Sequence, residues 1–275
     1  MSLPPYSVLM SVYKKENPEW LASSLDSIFN QSIQPAEIIM IKDGPITMDL
    51  NAVLEGFDAE HPNIMKILGF DENHGLGYAL HHGILASSHE YIARMDTDDI
   101  SMPNRMEDQL SMMINEKLDI VGSQVFEFID NPEKPISISN LPEDFGSILR
   151  YSRHRNPFRH PPIVYRRSKV LEAGNYSSEF PFFEDWDLFN RMLAQGCRAR
   201  NLHDPLVAMR VNEGFYQRRG GLDYLSCALG FKWAQYKLGY FSFFDFLQSF
   251  VPQVVVCIMP VEVRKWFYLK LLRRK

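Results

Sequence analysis

The chain has 275 residues, enough for one large α/β domain with an appendage. An apolar share of 45% and a charged share of 23% are ordinary globular values, and a net charge of −5 gives no electrostatic reason for nucleic-acid binding. The cysteines Cys197, Cys227 and Cys257 are odd in number and widely spaced, which excludes a disulfide framework or a zinc spacing and fits a reducing compartment; the first ten residues lack the charged start and apolar core of a signal peptide.

The first hundred residues alternate strands with helices. Tyr6 to Tyr13 is β-branched, aromatic and nearly all apolar, as a strand buried on both faces should be. Asn17 then caps a helix with Pro18 at its first position, and Leu21, Leu25, Ile28 and Phe29 form its stripe up to Asn30. A second strand, Ala36 to Ile41, ends in the turn Lys42-Asp43-Gly44-Pro45. A helix over Met48 to Glu60 and a strand over Ile64 to Gly69 follow. The glycine-spaced loop Asn73-His74-Gly75-Leu76-Gly77 runs into a helix ending near Ala86, and Tyr91 to Met95 is the fourth strand. This order predicts a doubly wound sheet.

Further on, a helix is expected over Pro103 to Glu116 and a strand over Ile120 to Ile129. Asn131 to Leu141 reads as a loop, Phe145 to Tyr151 as a helical turn, and Arg153 to Pro162 as a basic, proline-stiffened segment. Ile163 to Tyr165 is a short strand, and Arg167 to Glu172 a helix closed by Gly174. Phe183 to Asp187 opens a helix that continues to Gln195 and stops at Gly196, and Asp204 to Val211 is the last strand. From Gly221 onward the chain is helical and aromatic.

One stretch carries the chemistry. The apolar run ending at Met95 stops in Asp96, Asp98 and Asp99. Ligands of open α/β sheets bind at strand ends, and carboxylates crowded there repel one another unless a cation sits among them. Hard divalent ions take such oxygen ligands together with substrate phosphates. The plainer alternative is an acidic helix start.

Four features stand in order: Ser11-Val12-Tyr13 with Glu16 beyond it, Asp43-Gly44, Asp96-x-Asp98-Asp99, and Glu184-Asp185-Trp186. With Asn73-x-Gly75-x-Gly77 and His160-Pro161-Pro162, the chain resembles the family 2 glycosyltransferases of GT-A fold over about residues 5–215, and most of all the non-processive bacterial enzymes of cell-surface polysaccharide synthesis. The resemblance implies a GT-A catalytic domain over 1–215, with a nucleotide-binding half (1–100) and an acceptor half (101–215), followed by a helical extension over 216–275. It implies an inverting transfer from a nucleotide sugar, a UDP-sugar by family habit, to a saccharide acceptor carried on a polyprenyl diphosphate.

The roles carry over residue by residue. Asp98 resembles the metal-binding Asp, with Mn²⁺ or Mg²⁺ implied, and Asp96 the Asp near ribose and metal. Asp99 is read as a further site acid or as a cap of the next helix. Asp43 resembles the residue that hydrogen-bonds the base, and Ser11, Tyr13, Glu16 and Asn73 stand where the nucleotide approaches. Asp185 resembles the general base, with Phe182, Phe183 and Trp186 expected to desolvate it. His160, Glu184, Trp186 and Arg210 are assigned to acceptor or diphosphate, and Arg94 either pairs with the acids or binds. Arg218 and Arg219 close over the diphosphate or are surface charge. The Gln-x-x-Arg-Trp motif of processive synthases is absent.

The tail breaks the globular pattern. Tyr240 to Leu247 is densely aromatic, Val254 to Met259 is apolar, and Arg264 to Lys275 mixes aromatic with basic residues. No clean run is long enough to span a bilayer, so a helix lying on an anionic surface is expected, and with it a cytoplasmic protein peripheral to the inner face of the cytoplasmic membrane; the alternative is a C-terminal helix packed on the core or on a second copy. Two rivals remain at this point: a magnesium-dependent phosphatase and an inactive, GT-A-shaped binding protein.

Overall fold

The computed structural model describes residues 3–211, 221–259 and 263. Nine strands form a single sheet, in the order β3-β2-β1-β4-β8-β6-β9-β5 with β7 paired to β6. The first half is the expected alternation: β1 (Tyr6–Val12), α1 (Pro18–Phe29), β2 (Glu37–Lys42), α2 (Met48–Glu60), β3 (Met65–Gly69), α3 (Leu76–Ala86) and β4 (Tyr91–Arg94). These four strands are mutually parallel. The second half is β5 (Ile100–Ser101), α4 (Arg105–Asn115), β6 (Ile120–Phe128), β7 (Ser137–Ile138), α5 (Phe145–Ser152), β8 (Val164–Arg166), α6 (Arg167–Glu172), α7 (Glu184–Ala194) and β9 (Ala199–Arg210). Here β8 turns antiparallel to both β4 and β6, and only β6 and β9 run parallel.

The central strands are buried on both faces, which explains the nearly continuous apolar runs of β1 and β2. Tyr6, Val8, Met10 and Val12 of β1 point to one side, into a core with Leu21 and Leu25 of α1, Leu50 of α2 and Leu110 of α4. Leu9, with Ile39 and Ile41 of β2, points to the other, against Leu80 of α3 and Leu188 and Phe189 of α7. The α1 cap is as read from the sequence: Asn17 Oδ1 accepts from the amides of Glu19 (2.8 Å) and Trp20 (3.3 Å) ahead of Pro18.

Three local expectations need correction. The last strand begins at Ala199, five residues before Asp204, because a break in its register with β6 around Ser123–Val125 turns the polar His203 and Asp204 outward without ending the pairing. The segment expected as an unbroken loop contributes the edge strand β7, held by the Glu127–Ser137 and Phe126–Ile138 pairs. A two-residue strand, β5, follows the acidic turn and pairs with Val207 and Ala208. Both strands are too short to leave a periodic signal.

The extension is a helical pair, α8 (Leu222–Lys237) and α9 (Phe243–Ile258). Its inner face joins Phe231 and Phe241 to Phe183 and Trp186 at the start of α7. Among the described residues no helix is long and apolar enough to cross a membrane. Arg218, Arg219 and the stretch Arg264 to Lys275 lie outside the described residues.

Candidate active site

The acidic turn connects β4 to β5 at the end of the parallel sheet. Carboxylate oxygens of Asp96, Asp98 and Asp99 lie within 4.8 Å of one another. Burial, and then the neighbouring Asp96 charge, pushes Asp98 up to about 6. Burial with Asp98 and Asp96 drives Asp99 well above the usual carboxylate range. Asp99 Oδ1 accepts from the Arg210 amide at 2.7 Å, whereas its buried Oδ2 has no hydrogen-bond partner. All the donors are hard oxygens, and like charges at this density favour a cation among them, so the residues fit a divalent ion such as Mn²⁺ or Mg²⁺.

Cations and aromatics hold the turn from below and from the side. Arg94 is 2% exposed, its guanidinium paired with Asp96, while its Nε and Nη1 have no partner. The Arg94 carbonyl accepts from Arg105 Nη2 at 2.8 Å; Arg105 is itself buried, which pulls it down to about 10. Arg210, at the end of β9, sits between the rings of Trp20 (4.4 Å) and Phe128 (4.5 Å) and donates from Nε to the Asp98 carbonyl at 3.2 Å. Ser24 of α1 holds the Asp96 carbonyl at 2.8 Å.

Asp43 clasps the glycine-spaced loop. Its Oδ1 accepts from the His74 amide (2.8 Å), and its Oδ2 from Asn73 Nδ2 (2.8 Å) and the Gly75 amide (2.9 Å). A carboxylate has about four acceptor positions, so roughly one remains for an incoming N–H. Gly44, at φ 84°, lets the loop close: a Cβ there would stand 2.8 Å from the Asn73 nitrogen. The Asp43 amide donates to the Val12 carbonyl at 2.9 Å, which sets this clasp beside Ser11 and Tyr13 at the end of β1. The Glu16 amide turns back to the Tyr13 carbonyl at 3.1 Å.

The third wall is the start of α7. Asn156 Nδ2 donates to Asp185 Oδ2 at 2.6 Å. Burial, and then the Asp185 charge, pushes the adjacent Glu184 up to about 7, and its Oε2 is buried without a hydrogen-bond partner. Gly77 of α3 packs so closely here that a Cβ would meet Glu184 Cβ at 3.3 Å. His160 Nε2 lies 2.9 Å from the Tyr176 hydroxyl, and burial with the Arg94 charge holds His160 well below its usual value. Arg94 also acts electrostatically on Glu184 and Tyr176, so its guanidinium links the acidic turn to the α7 wall.

Two expectations fail here for packing reasons. Trp186 does not face an acceptor: it is buried, its indole N–H donates to the Ser152 carbonyl at 2.8 Å, and its ring packs at a tilt on Phe231 of α8. Phe183 points the same way, so the expected aromatic wall serves the α7–α8 interface, and the burial falls on Glu184. His160, expected at the acceptor or diphosphate, has its Nε2 engaged with the Tyr176 hydroxyl.

Sequence reading missed Asn156, Tyr176, Trp20 and Arg105. The first three are single residues on loops or helix surfaces and leave no pattern. Arg105 did leave one: with Gln109 it forms a polar i,i+4 pair inside the apolar stripe Met106, Leu110 and Met113, and Arg105 Nε donates to Gln109 Oε1 at 2.9 Å.

The sequence model of glycosyl transferase family 2 matches residues 7–174, more than half of the chain. The chain belongs to this family. A UDP-Gal:alpha-D-GlcNAc-diphosphoundecaprenol beta-1,3-galactosyltransferase of Escherichia coli is 35% identical over 272 residues, 98% of each chain. The amylovoran biosynthesis glycosyltransferase AmsE of Erwinia amylovora is 32% identical, covering 96% of this chain and 98% of its own. Two solved structures share the fold at lower identity. S. aureus TarS 1-349 in complex with UDP-GlcNAc has a TM-score of 0.65 at 14% identity, over 98% of this chain and 76% of that one. The mannosyltransferase PcManGT of Pyrobaculum calidifontis in complex with GDP-Man and Mn²⁺ has 0.66 at 12%, over 96% and 72%. The fold is GT-A and the protein is a glycosyltransferase, which removes the phosphatase and inactive-scaffold rivals.

Proposed function

We propose that this glycosyltransferase moves a sugar, with inversion, from a UDP-sugar to a saccharide carried on a polyprenyl diphosphate, in the assembly of a bacterial cell-surface polysaccharide. One observation carries the reading: a carboxylate cluster suited to a divalent cation and a separate acid pair at the start of α7 flank one floor, with Arg94 between them. The E. coli relative, alike over nearly its whole length and acting on a diphosphoundecaprenol acceptor, supports the donor and acceptor classes. The Mn²⁺ in the PcManGT complex supports the metal.

In this reading the nucleotide lies along the end of β1, its base near the free acceptor position of Asp43 and the Asn73 loop, with Ser11, Tyr13 and Glu16 around base and ribose. Asp96, Asp98 and Asp99 would hold Mn²⁺ or Mg²⁺, which supplies the positive charge that a departing diphosphate needs. Asp185 takes the acceptor proton. As the acceptor hydroxyl oxygen bonds to the anomeric carbon, its proton passes to the Asp185 carboxylate and the bond to the diphosphate oxygen breaks, releasing the nucleoside diphosphate. The Asn156 amide fixes which Asp185 oxygen faces the hydroxyl. Arg210 steadies the acidic turn beneath the diphosphate, and Glu184 lines the sugar side of the pocket. The enzyme works on the cytoplasmic side of the membrane, held at its surface, where such an acceptor presents its sugar.

The test is a transfer assay with Mn²⁺, a panel of nucleotide sugars and a sugar-diphospho-lipid acceptor, with the product linkage read by NMR. A β-linked product from an α-linked UDP-sugar is expected. A retained configuration, or transfer undiminished by chelation, would overturn the proposal.

A further inference from the structure

We propose that the outward face of the α8–α9 pair is a docking surface for an anionic lipid bilayer, and that it fixes how the active site is presented to lipid-borne acceptors. The inference rests on the membrane-surface reading above for its purpose; its geometry stands by itself. On α9 the residues Phe246, Ser249, Val256 and Cys257 are buried. On the opposite side Phe244 (78% exposed), Leu247 (38%), Val251 (54%) and Val255 (45%) recur at helical spacing as a bare apolar ridge. Leu222, Leu229 and Trp233 form a second exposed row on α8. The Trp233 ring lies 5.8 Å from that of Phe246, which ties the α8 row to α9, and the Lys237 ammonium lies 5.6 Å from Trp233.

Charge decides the occupant. From Phe246 to Val261 the chain has no charged residue. Asp245, which opens α9, is turned inward, hydrogen-bonded to Ser242 in a capping box and 3.5 Å from His154. Beyond Val263 the sequence carries Arg264, Lys265, Lys270, Arg273, Arg274 and Lys275, no acid, and the aromatic run Trp266, Phe267, Tyr268. An uncharged apolar ridge followed, after the single acid Glu262, by six cations and an aromatic run complements anionic headgroups over acyl chains; a second copy would bring like charges together.

The inner side of the extension is pinned to the catalytic helix α7 and to the end of α5 by polar contacts. Gln235 Nε2 donates to Asp187 Oδ1 at 3.0 Å, Asn190 Nδ2 donates to Gln235 Oε1 at 3.3 Å, and the Ser152 and Tyr240 hydroxyls meet at 2.7 Å. Trp186, next to Asp185, packs on Phe231 at 5.0 Å. Such directional contacts fix one register where apolar packing alone would tolerate slippage. Docking of the ridge therefore orients the start of α7, and Asp185 with it, relative to the headgroups.

The test uses the full chain and vesicles of phosphatidylcholine with or without phosphatidylglycerol. The protein should float with the anionic vesicles, less so in high salt, and F244S/L247S/V251S should weaken that partition by roughly tenfold or more, since binding scales with buried apolar area. The same variant should keep its melting temperature and its rate on a water-soluble, short-chain acceptor, while its KM for a long-chain acceptor in vesicles rises. If the triple variant melts early, quenching of Trp233 by brominated lipid in the parent, with Trp233→Phe as control, takes its place. A parent that does not float, a variant that floats equally well, or a dimer in ultracentrifugation that the substitutions abolish without changing flotation would overturn the proposal. Failed sugar transfer with intact flotation would instead count against the catalytic reading alone.

Discussion

Two groups of acids border the same floor, and they differ in what balances them. Asp96, Asp98 and Asp99 face one another; Arg94 pairs with Asp96 alone, and the Arg210 guanidinium is held by the carbonyls of Asp98 and Ile129. Asp185 meets the Asn156 side-chain amide and the Trp186 backbone amide, and Glu184 meets the close packing of Gly77 and a buried surround. The first arrangement is short of positive charge and so attracts a cation. The second is short of water, which raises the proton affinity of a carboxyl group. One residue type thus performs two tasks, decided by its neighbours.

The comparison breaks most visibly at the cation side. Asp98→Asn should lower transfer by about 10³-fold or more, as loss of a charge partner to the leaving group does. Calorimetry should show Mn²⁺ binding lost, while the metal-free melting temperature stays level or rises, because a crowded charge has gone. Parental Mn²⁺ affinity in this variant would mean that the cluster is structural. On the other wall, Asp185→Asn preserves shape but cannot take a proton. Turnover should fall by roughly 10²–10⁴ with donor and Mn²⁺ binding unchanged. Loss of donor affinity would move Asp185 to the donor side and erase the distinction between the two groups.

How much of this was legible depends on where each constraint resides. The parallel half was readable because β1, β2 and β4 are largely apolar on both faces and α1 and α2 carry side-chain caps, so composition and spacing record the fold directly. The acidic turn was readable because three acids after a buried strand defy the environment that the strand predicts. The α7 wall was half readable. Glu184-Asp185 stands out, but the direction of Trp186 and Phe183 depends on α8, about forty residues away, and no local pattern encodes that. The sequence places the start of β9 at Asp204, since Ala199 to His203 hold no apolar run that extends it; a register break lets the strand turn His203 and Asp204 outward. Asn156 and Tyr176 act through single hydrogen bonds, which leave no periodicity.

Asn156 sharpens the contrast at smaller amplitude. Asn156→Ala removes the amide from Asp185 Oδ2 without touching the acid. We expect roughly a tenfold fall in kcat with KM for the donor unchanged, the usual size of a lost orientation within an otherwise intact site. Asn156→Asp should be worse, since it sets a like charge against the base. A kcat unchanged in Asn156→Ala would show that Asn156 does not orient Asp185, whose Oδ1 also accepts from the Trp186 amide at 2.7 Å.

The smallest effect concerns Glu184 and is read in stability. Its carboxyl is raised to about 7 by burial and the Asp185 charge, against an ordinary value near 4.5. Between those two pH values the folded chain keeps the proton that the unfolded chain has released. The folded state therefore binds more protons, and stability contributed by this group is full below about 4.5 and is lost as pH rises through about 7. Glu184→Gln cannot titrate, so relative to the parent it should gain about 1–3 kcal/mol between pH 5 and pH 8. Metal-free melting curves at the two pH values measure this directly. Unlike the acidic turn, whose pH response Mn²⁺ should suppress by favouring the charged carboxylates, the Glu184 contribution should survive saturating Mn²⁺. A slope that vanishes when the metal is added would place Glu184 with the cation cluster, and the two groups would be one.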